Sequence, residues 1–554
     1  MRSVASIAVG AGFLFVTLAM FVQGVLPSVI PESRTRQVTR AVRTDLGDLK
    51  WVRYDASDYT ATERRGRAVY IREGCWYCHS QYVRPVAGED FRWGPVSEAG
   101  EYAYDLPHLL GTRRIGPDLT RVGGKYSDDW HYAHFWDPRL ALPESIMPRF
   151  PWLFDRLAVP LSVEGGSPRL VPTPELRRYF TFAPNRPILL FPNDAGLTFV
   201  RPPPDDGFPL DGTPVLDLRG AGARGPRLAA ASATPAAALV LVVPTKEAVA
   251  LVRYLQKLGM NRGAWREGFE PQSVTVSAMT IPRTQDLVER GKDAYADHCQ
   301  GCHGARGDGN GPAATFLFPR PRDFTAAVFK FRSTPSGSLP TDGDLFRTVT
   351  RGVRWTAMPT WHEIPEKERL GVIVYIKSFS KRWEEEPAET IVALPSPPKA
   401  TPELVARGKE LYTRAKCWEC HGESGKGDGP SAARLSDDNE LPSRPTDFTR
   451  GQFKGGSSIA DVFRAITTGL DGTPMPSYAD SLSIDARWAI AYYVLAFSAW
   501  ADPLTGDKLH LPAAAKAALN ERPAGHPRAA LDPARLEASV AGAARRRVYP
   551  GISE

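Results

Sequence analysis

The stretch GCWYCH at residues 74–79 contains the pattern CxxCH, which returns as CQGCH at residues 299–303 and as CWECH at residues 417–421. The three copies use all six cysteines of the 554-residue chain. CxxCH is the attachment signature of c-type haem: its two thiols form thioether bonds to the vinyl groups, and the adjacent histidine becomes an axial iron ligand. The sequence therefore predicts three covalently bound haem c groups, with thioethers at Cys75, Cys78, Cys299, Cys302, Cys417 and Cys420 and iron ligands at His79, His303 and His421.

The competing interpretation of these motifs is three reduced dithiols or three disulfide bonds. One CxxCH can arise by chance in a long chain, but three copies with no spare cysteine argue against coincidence. Because the three motifs use every cysteine, none remains for a separate zinc site.

A six-coordinate haem iron needs a second axial ligand, and three Met-Pro pairs are placed to supply it. Met147, Met358 and Met475 each lie downstream of a CxxCH and upstream of an amphipathic segment. Histidine–methionine ligation raises the reduction potential of a haem. The rival ligands are His108, His131 and His134 in the first region and His298 and His362 in the second. The third region has no histidine besides His421 before the tail.

The predicted fold class is mainly α, with three domains of one plan at residues 32–262, 284–384 and 400–503. In each, a Gly and then a Tyr four residues later precede the first cysteine, at 66/70, 291/295 and 408/412. Amphipathic segments close the regions at about 246–258, 366–380 and 484–499. This plan resembles the class I cytochrome c fold, in which the first and last helices cross at a Gly and an aromatic ring fills the angle.

The N-terminal residues 3–31 contain no charged residue, and Val4–Leu26 is nearly all apolar. A helix of that length is long enough to cross a bilayer, so residues 1–31 are predicted to be a transmembrane anchor. A cleaved signal peptide is the alternative, but its apolar core would be only about 7–15 residues long and would end at a small-residue cleavage site. Because covalent haem is attached outside the bacterial cytoplasmic membrane, the haem domains are expected in the periplasm.

The remaining segments are interpreted from their composition. Residues 32–60 are expected to be an extended connector, residues 385–400 a Glu- and Pro-rich linker, and residues 504–554 a flexible tail with a short helix at 511–520. Residues 151–243 form an insertion in the first domain. Within it, residues 188–191 and 197–200 flank turn residues and predict a hairpin, so the insertion should be partly β.

The second and third domains are more alike than either is like the first. GDGNGP at 307–312 parallels GDGP at 427–430, and PRDFT at 321–325 parallels PTDFT at 445–449. Gly352 and Gly469 each precede the candidate methionine by six residues. The pattern indicates a tandem duplication.

The charge of the chain does not indicate a nucleic-acid partner. Its formal net charge is +7 at pH 7, but the six propionates of three haems would reduce this to about +1, since 7 − 6 = 1. The sequence also lacks a stripe of Arg and Lys interleaved with aromatic residues, which a nucleic-acid surface needs. We therefore expect no nucleic acid among its partners.

Beyond its haem motif, the first domain resembles the membrane-anchored monohaem subunit of cbb3-type cytochrome c oxidases. The resemblance is carried by GCWYCHSQYVRP at 74–85, IGPDLTRVGGKYSDDWH at 115–131 and PESIMP at 143–148, in the same order and behind a single N-terminal apolar segment. It covers about residues 1–155 and the closing segment near 258. The second and third domains are similar to dihaem material fused behind the monohaem part.

The resemblance implies a membrane-anchored trihaem cytochrome. It would carry electrons from a soluble periplasmic donor, such as a small cytochrome c, to a haem–copper catalytic subunit that reduces oxygen to water. The chain itself should hold no catalytic residue, because it has no polytopic histidine-rich core and no copper-binding cysteine pair. The alternatives are the cytochrome c subunit of nitric oxide reductase and the trihaem cytochrome subunit of a periplasmic dehydrogenase.

Two further expectations concern how each haem is held. In class I cytochromes a proline carbonyl orients the haem-binding histidine, and here the resemblance implies Pro117, Pro312 and Pro430. Haem propionates need cationic partners, for which Arg84, Arg114 and Arg121 are the candidates in the first domain.

Overall fold

The computed structural model describes residues 2–86, 89–111, 113–164, 167–170, 189–190, 238–266, 279–314, 317–362, 364–386, 390–438 and 443–511, besides the single positions 174, 175, 178, 513 and 516. Helices dominate these residues, which confirms the mainly α prediction. A separate hydrophobic core lies around each of the three CxxCH motifs, because Cys75, Cys299 and Cys417 each pack against a different cluster of buried residues.

The chain opens with a helix, Arg2–Met20, which continues through a π-helical turn at Phe21–Val25 into a further helical turn at Leu26–Val29. Its large apolar side chains, Phe13 and Leu14 among them, are exposed. Within the described part of the chain, no helix combines the length and the apolar character needed to cross a membrane. A short helix, Pro31–Arg34, follows.

Residues 37–55 form a β-hairpin, so the extended connector predicted for residues 32–60 is wrong there. Strand β1, Gln37–Arg43, pairs antiparallel with β2, Leu49–Asp55. The connecting turn contains Gly47 at a φ of 84°, a left-handed conformation that only a residue without a Cβ adopts freely.

The hairpin of the first domain packs against the end of the third domain. Its Val42 and Val52 pack against Ala499 and Trp500. The backbone N–H of Leu509 donates to the carbonyl of Trp500 at 2.7 Å. The flexible tail predicted from residue 504 is therefore wrong for residues 504–511, whereas most of the helix predicted at 511–520 lies outside the described residues.

Each domain contains an opening helix before its CxxCH, a middle helix and a closing helix. In the first domain these are Ala61–Arg72, Asp128–Trp136 and Lys246–Lys257. In the second they are Gln285–His298, Asp342–Arg351 and Glu366–Lys377, and in the third Pro402–Arg414, Ile459–Thr468 and Ile484–Ala496. Shorter helices are Glu89–Trp93, Gln300–His303, Arg382–Glu385 and Trp418–His421.

Hydroxyl side chains start eight of these nine longer helices. Each Thr or Ser at the N-cap accepts a hydrogen bond from the backbone N–H three residues later, which satisfies a donor that the helix itself cannot pair. The capping residues are Thr60, Ser127, Thr245, Thr284, Thr341, Thr401, Ser458 and Ser483. The closing helix of the second domain starts at Pro365 instead, without a side-chain cap.

The opening and closing helices cross in all three domains at the predicted glycines. A Cβ added at Gly66, Gly291 or Gly408 would lie 1.9, 2.0 or 2.1 Å from a carbonyl oxygen of the closing helix, so no larger residue fits. The predicted tyrosines fill the angle. The ring pairs Tyr70–Tyr254, Tyr295–Tyr375 and Tyr412–Tyr493 have centroids 5.5, 5.3 and 5.4 Å apart.

The insertion in the first domain contains strands, as predicted. β3, Phe154–Glu164, pairs antiparallel with β4, Ser167–Leu170, and with β6, Ala238–Pro244. β5, Leu189–Leu190, pairs with the other side of β6, which gives the order β4-β3-β6-β5. The predicted hairpin of 188–191 with 197–200 lies outside the described residues except for β5, whose partner is β6.

Candidate haem sites

Each CxxCH folds as a tight helical turn behind the opening helix. The histidine N–H donates to the first cysteine's carbonyl, at 3.0 Å in the first motif, 2.9 Å in the second and 3.0 Å in the third. All six cysteines are free thiols. Burial, the largest cause, raises the pKa of Cys75 and of Cys299 to about 12. The thiols of Cys75 and Cys299 are therefore neutral at physiological pH, and their burial suits uncharged thioethers.

The histidine of the first motif is oriented as predicted. His79 Nδ1 lies 2.8 Å from the carbonyl oxygen of Pro117. A Cβ added at the neighbouring Gly116 would lie 2.2 Å from His79 Cε1, so the backbone itself holds one side of the imidazole. The Nε2 atom remains available to bind iron, because the Nδ1–H is committed to the carbonyl.

For the other two histidines, the prediction of the carbonyl that orients the ring is wrong. His303 Nδ1 faces the carbonyl oxygen of Arg322 at 3.0 Å, and His421 Nδ1 faces that of Thr446 at 3.5 Å, in place of Pro312 and Pro430. Both carbonyls belong to the repeated motif Pro-x-Asp-Phe-Thr. The sequence showed this repeat but gave no sign of which carbonyl would reach the histidine.

The repeated motif also supplies a ring that stacks on each histidine. Phe324 lies over His303 with centroids 4.5 Å apart, and Phe448 lies over His421 at 4.4 Å. In both copies the aspartate of the motif accepts hydrogen bonds from the N–H and the hydroxyl of the threonine two residues later. These two phenylalanines were not predicted to be site residues. The signal that could have identified them is their position in the Pro-x-Asp-Phe-Thr motif, which is repeated downstream of the second and third CxxCH.

Burial keeps the candidate ligand histidines neutral. It lowers the pKa of His303 and of His421 to about 4, and it lowers the pKa of His79 as well. A neutral imidazole is the form that binds a metal. The three side chains therefore meet the electronic requirement for iron ligation at physiological pH.

The loops that carry Met358 and Met475 have the same backbone geometry. Each methionine N–H donates to a threonine hydroxyl two residues earlier, at 3.1 and 3.3 Å. Each methionine carbonyl accepts a hydrogen bond from the backbone N–H of the residue five positions earlier, and the N···O distances are 2.9 and 3.1 Å. The two loops therefore share one backbone conformation, which supports the tandem duplication. Met147 is partly buried against the core of the first domain.

The rival histidines have varied surroundings, and His134 lies near enough to His79 for their charges to interact. His298 lies 5.4 Å from the ring of Trp361, and His362 Nδ1 lies 3.2 Å from the Thr360 hydroxyl. His134 stacks on Trp130 at 4.5 Å, and His131 lies edge-on to the same indole. Burial lowers the pKa of both His131 and His134 to about 3. His108 packs against Tyr102.

The three arginines proposed for the propionates of the first domain are engaged elsewhere. Arg84 and Arg114 both bind Glu89, and Arg121 forms a buried pair with Glu101. These ion pairs stabilise the loops around the first motif, and the assignment of the three arginines to haem propionates stays a prediction. Haem c fits the sites, because each joins two cysteines that form no disulfide and a neutral imidazole held by a backbone carbonyl.

Comparisons with known proteins follow the same division of the chain. Residues 13–162 match the family model described as the mono-haem subunit of cytochrome c oxidase, FixO. Residues 286–376 match that of subunit III of the cbb3-type cytochrome c oxidase, and residues 405–498 match that of cytochrome c.

Two individual proteins are similar to parts of the chain. The cbb3-type cytochrome c oxidase subunit FixP of Azorhizobium caulinodans is 27% identical over 204 residues, or 37% of this chain, and the chain spans 57% of the length of this curated relative. A chain of the Kuenenia stuttgartiensis reducing HAO-like protein complex is 44% identical. That match covers 40% of this chain and 99% of that chain, with a TM-score of 0.38.

The helical crossings, the CxxCH turns and the matched domains together define a c-type cytochrome, and its cytochrome c domains imply covalent haem c. Its first region matches the model of the FixO mono-haem subunits, and its second that of subunit III of the cbb3-type oxidases. The resemblance inferred from the sequence is thereby confirmed.

Proposed function

We propose that this chain is a trihaem electron-transfer subunit of a cbb3-type oxidase. Each haem, when bound, supplies an iron that alternates between two oxidation states. His79, His303 and His421 would hold one axial position, and Met147, Met358 and Met475 the other. The observation that supports this role most directly is the packing of the first domain on the attachment loop of the second.

The contact between the first and second domains lies at the second CxxCH. A Cβ added at Gly301, inside that motif, would lie 2.5 Å from the carbonyl oxygen of Ala141. Cys302 packs into a cluster formed by Ala141 and Ala313. Leu140 packs both on this cluster and on the core of the first domain, which Met147 also contacts. Such proximity favours direct electron transfer between these two domains.

The second and third domains are joined by a buried ion pair and its surroundings. Arg332, which is fully buried, lies 2.8 Å from Asp471 and also donates to the carbonyl of Thr468. The segment predicted to be a linker packs as well, since the N–H of Val392 donates to Ser333 at 2.7 Å and Tyr492 donates to Pro398 at 2.7 Å. The second domain therefore contacts the third as well as the first, and the proposed route runs through it.

Electrons would enter at the third domain and leave from the first. The FixO-like first region carries the signature of the oxidase, and its partner would be the haem–copper catalytic subunit. A soluble periplasmic cytochrome c would be the donor. The uncharged and largely apolar sequence of residues 3–31 supports attachment to the cytoplasmic membrane by a single-pass anchor, with the haem domains in the periplasm.

Cysteine substitutions test the route while the rest of the chain stays in place. Cys75→Ala with Cys78→Ala removes the first haem and should abolish oxygen consumption by the purified complex with every donor. Cys299→Ala with Cys302→Ala should abolish turnover with the soluble cytochrome but spare turnover with a small reductant that reaches the first domain. Pyridine haemochrome analysis should find three haems in the wild type and two in each variant.

The outcomes separate the parts of the proposal. Full turnover without the first haem would refute the exit through the first domain. Full turnover with the soluble cytochrome after loss of the second haem would refute the order of the domains. Release of the chain from membranes by alkaline carbonate would refute the anchor without touching the electron-transfer role.

A further inference from the structure

A cavity of about 270 Å³ lies where the hairpin, the second domain and the third domain meet. The hairpin contributes its turn around Gly47, the second domain its middle helix, and the third domain the segment from Lys454 to Asp461. The haem-attachment motifs themselves do not line this cavity. It is therefore a separate space between the two C-terminal haem sites.

The cavity has a strong excess of positive charge. Five basic side chains line it against two acidic ones, which leaves a formal charge of +3, since 5 − 2 = 3; the basic residues are Arg43, Arg347, Arg351, Arg354 and Lys454, and the acidic residues are Asp48 and Asp461. Asp461 is already bound by Arg464 and Arg351. The net positive charge of the lining favours an anion as the occupant of the cavity.

Arg347 is the side chain that most needs such a partner. It is only 4% exposed, and its Nη2 lies 3.3 Å from Asp344. Its Nη1 is buried and has no hydrogen-bond partner among the residues that the structure describes. Burial, and then the neighbouring Arg464, lower the pKa of Arg347 to about 10. An oxyanion in the cavity would satisfy the free donor and relieve the repulsion between the two arginines.

Two residues of the cavity wall adjoin segments of the C-terminal haem sites, one through a backbone contact and one along the chain. A Cβ added at Gly352, in the wall, would lie 2.5 Å from the carbonyl group of Pro359, the residue after Met358. Lys454 follows Phe448, the ring stacked on His421, by six residues. Its counterpart in the duplicated second domain is Lys330, and burial lowers the pKa of both lysines.

We propose that this cavity receives carboxylates of the haem propionates from both the second and the third domains, with Arg347 and Lys454 as their binding residues. The inference rests on the proposed haem attachment at the second and third motifs. The propionates would be shared ligands of one cationic site, so that a charge removed from the cavity changes the environment of both haems. A free oxyanion such as phosphate has the same chemistry and is the competing occupant.

The test is spectroelectrochemical titration of the haem-loaded full-length protein. Arg347→Met should lower the midpoint potentials of both the second and the third haem, because removal of a nearby positive charge favours the ferric state. Arg347→Lys, which keeps the charge, should leave both near the wild-type values. Arg283→Met is the matched control, since Arg283 lies in the same domain with its side chain 63% exposed, and it should shift neither potential. Variants that lack either the second or the third haem show which midpoint potential belongs to which haem.

Three results would overturn the inference. A shift confined to one haem would show that the cavity is not shared. No shift with Arg347→Met or Lys454→Met would show that it holds no propionate. A wild-type potential that changes on addition of inorganic phosphate at constant ionic strength would identify a free anion as the occupant. These readouts do not depend on oxidase turnover, so failure here is distinguishable from failure of the proposed electron route.

Discussion

Substitution of Gly408 by alanine is the sharpest test of how the third domain is built. Its position on the opening helix lies against the closing helix, where a Cβ would come within 2.1 Å of the carbonyl oxygen of Ala489 and 2.8 Å of Tyr493 Cβ. A carbon and a carbonyl oxygen need about 3.3 Å. The helices would therefore have to separate by about 1.2 Å at their crossing, which also loosens the contact between Tyr412 and Tyr493.

The cost follows from two opposing contributions. Overpacking of a tight interface costs about 1–3 kcal/mol, and the upper end applies because the obstructing atom belongs to the backbone and cannot rotate away. Alanine favours the helix over glycine by about 1 kcal/mol. The net expectation is a loss of about 2 kcal/mol in the free energy of unfolding of the third domain. For a domain of its size this lowers the melting temperature by about 8–16 °C.

Thermal unfolding of the haem-loaded protein, followed by absorbance of the haem band and by circular dichroism, measures this effect. Lys409→Ala is the matched control, because Lys409 is the next residue of the same helix and is exposed. It should change stability by no more than about 0.5 kcal/mol. If the Gly408→Ala variant has the same melting temperature as the Lys409→Ala variant, the close crossing of the two helices is refuted.

Three further predictions test the sites and their contacts. Gly301→Ala should slow electron transfer between the second and first domains in stopped-flow reduction without loss of haem, because its Cβ would meet the carbonyl of Ala141. The exposed control Gln300→Ala should leave this rate unchanged. Equal rates in the two variants would contradict the contact. Met475→His should lower the potential of the third haem and abolish its thioether-to-iron band in the near infrared, whereas an unchanged spectrum would mean another ligand. Burial raises the pKa of Asp129 from 3.8 to about 8, so its contribution to stability is present below about pH 4 and is lost as the pH rises towards 8. Asp129→Asn should flatten that decline in melting temperature, and parallel profiles of the two proteins would exclude Asp129 as its source.

The helix crossings could be predicted from sequence because they depend on local signals. Gly66 and Tyr70 are four residues apart and lie one turn from each other on one face, and the same pair recurs before every CxxCH. Three repeats of one spacing define both the helix and its contact surface. His79 was likewise assigned to Pro117 correctly, since the surrounding motif resembles a known family.

The features that could not be predicted depend on distant partners. In β1, buried Arg40 lies on the same face as Val38 and Val42, where alternation predicts an apolar residue, and buried Arg43 lies on the opposite face. Asp502 pairs with Arg40 and the carbonyl of Ser457 accepts a hydrogen bond from Arg43, and both partners belong to the third domain. No local pattern shows that pairing. The carbonyl of Arg322 reaches His303 for a similar reason, since a loop about 19 residues later folds back onto the motif.

The junction of the three domains lies beside the second methionine loop. Trp355, three residues before Met358, has a φ of 57°, a conformation that costs a bulky residue roughly 1–3 kcal/mol. A Cβ added at Gly124 of the first domain would lie 3.4 Å from the Trp355 ring and 3.6 Å from Gln452 of the third, and Arg450 lies over the same indole at 5.4 Å. Contacts from both neighbours therefore offset the strain of this residue. Because the loop that carries Met358 is fixed by all three domains, the second site depends on the whole chain, and its potential should respond to changes in either neighbour.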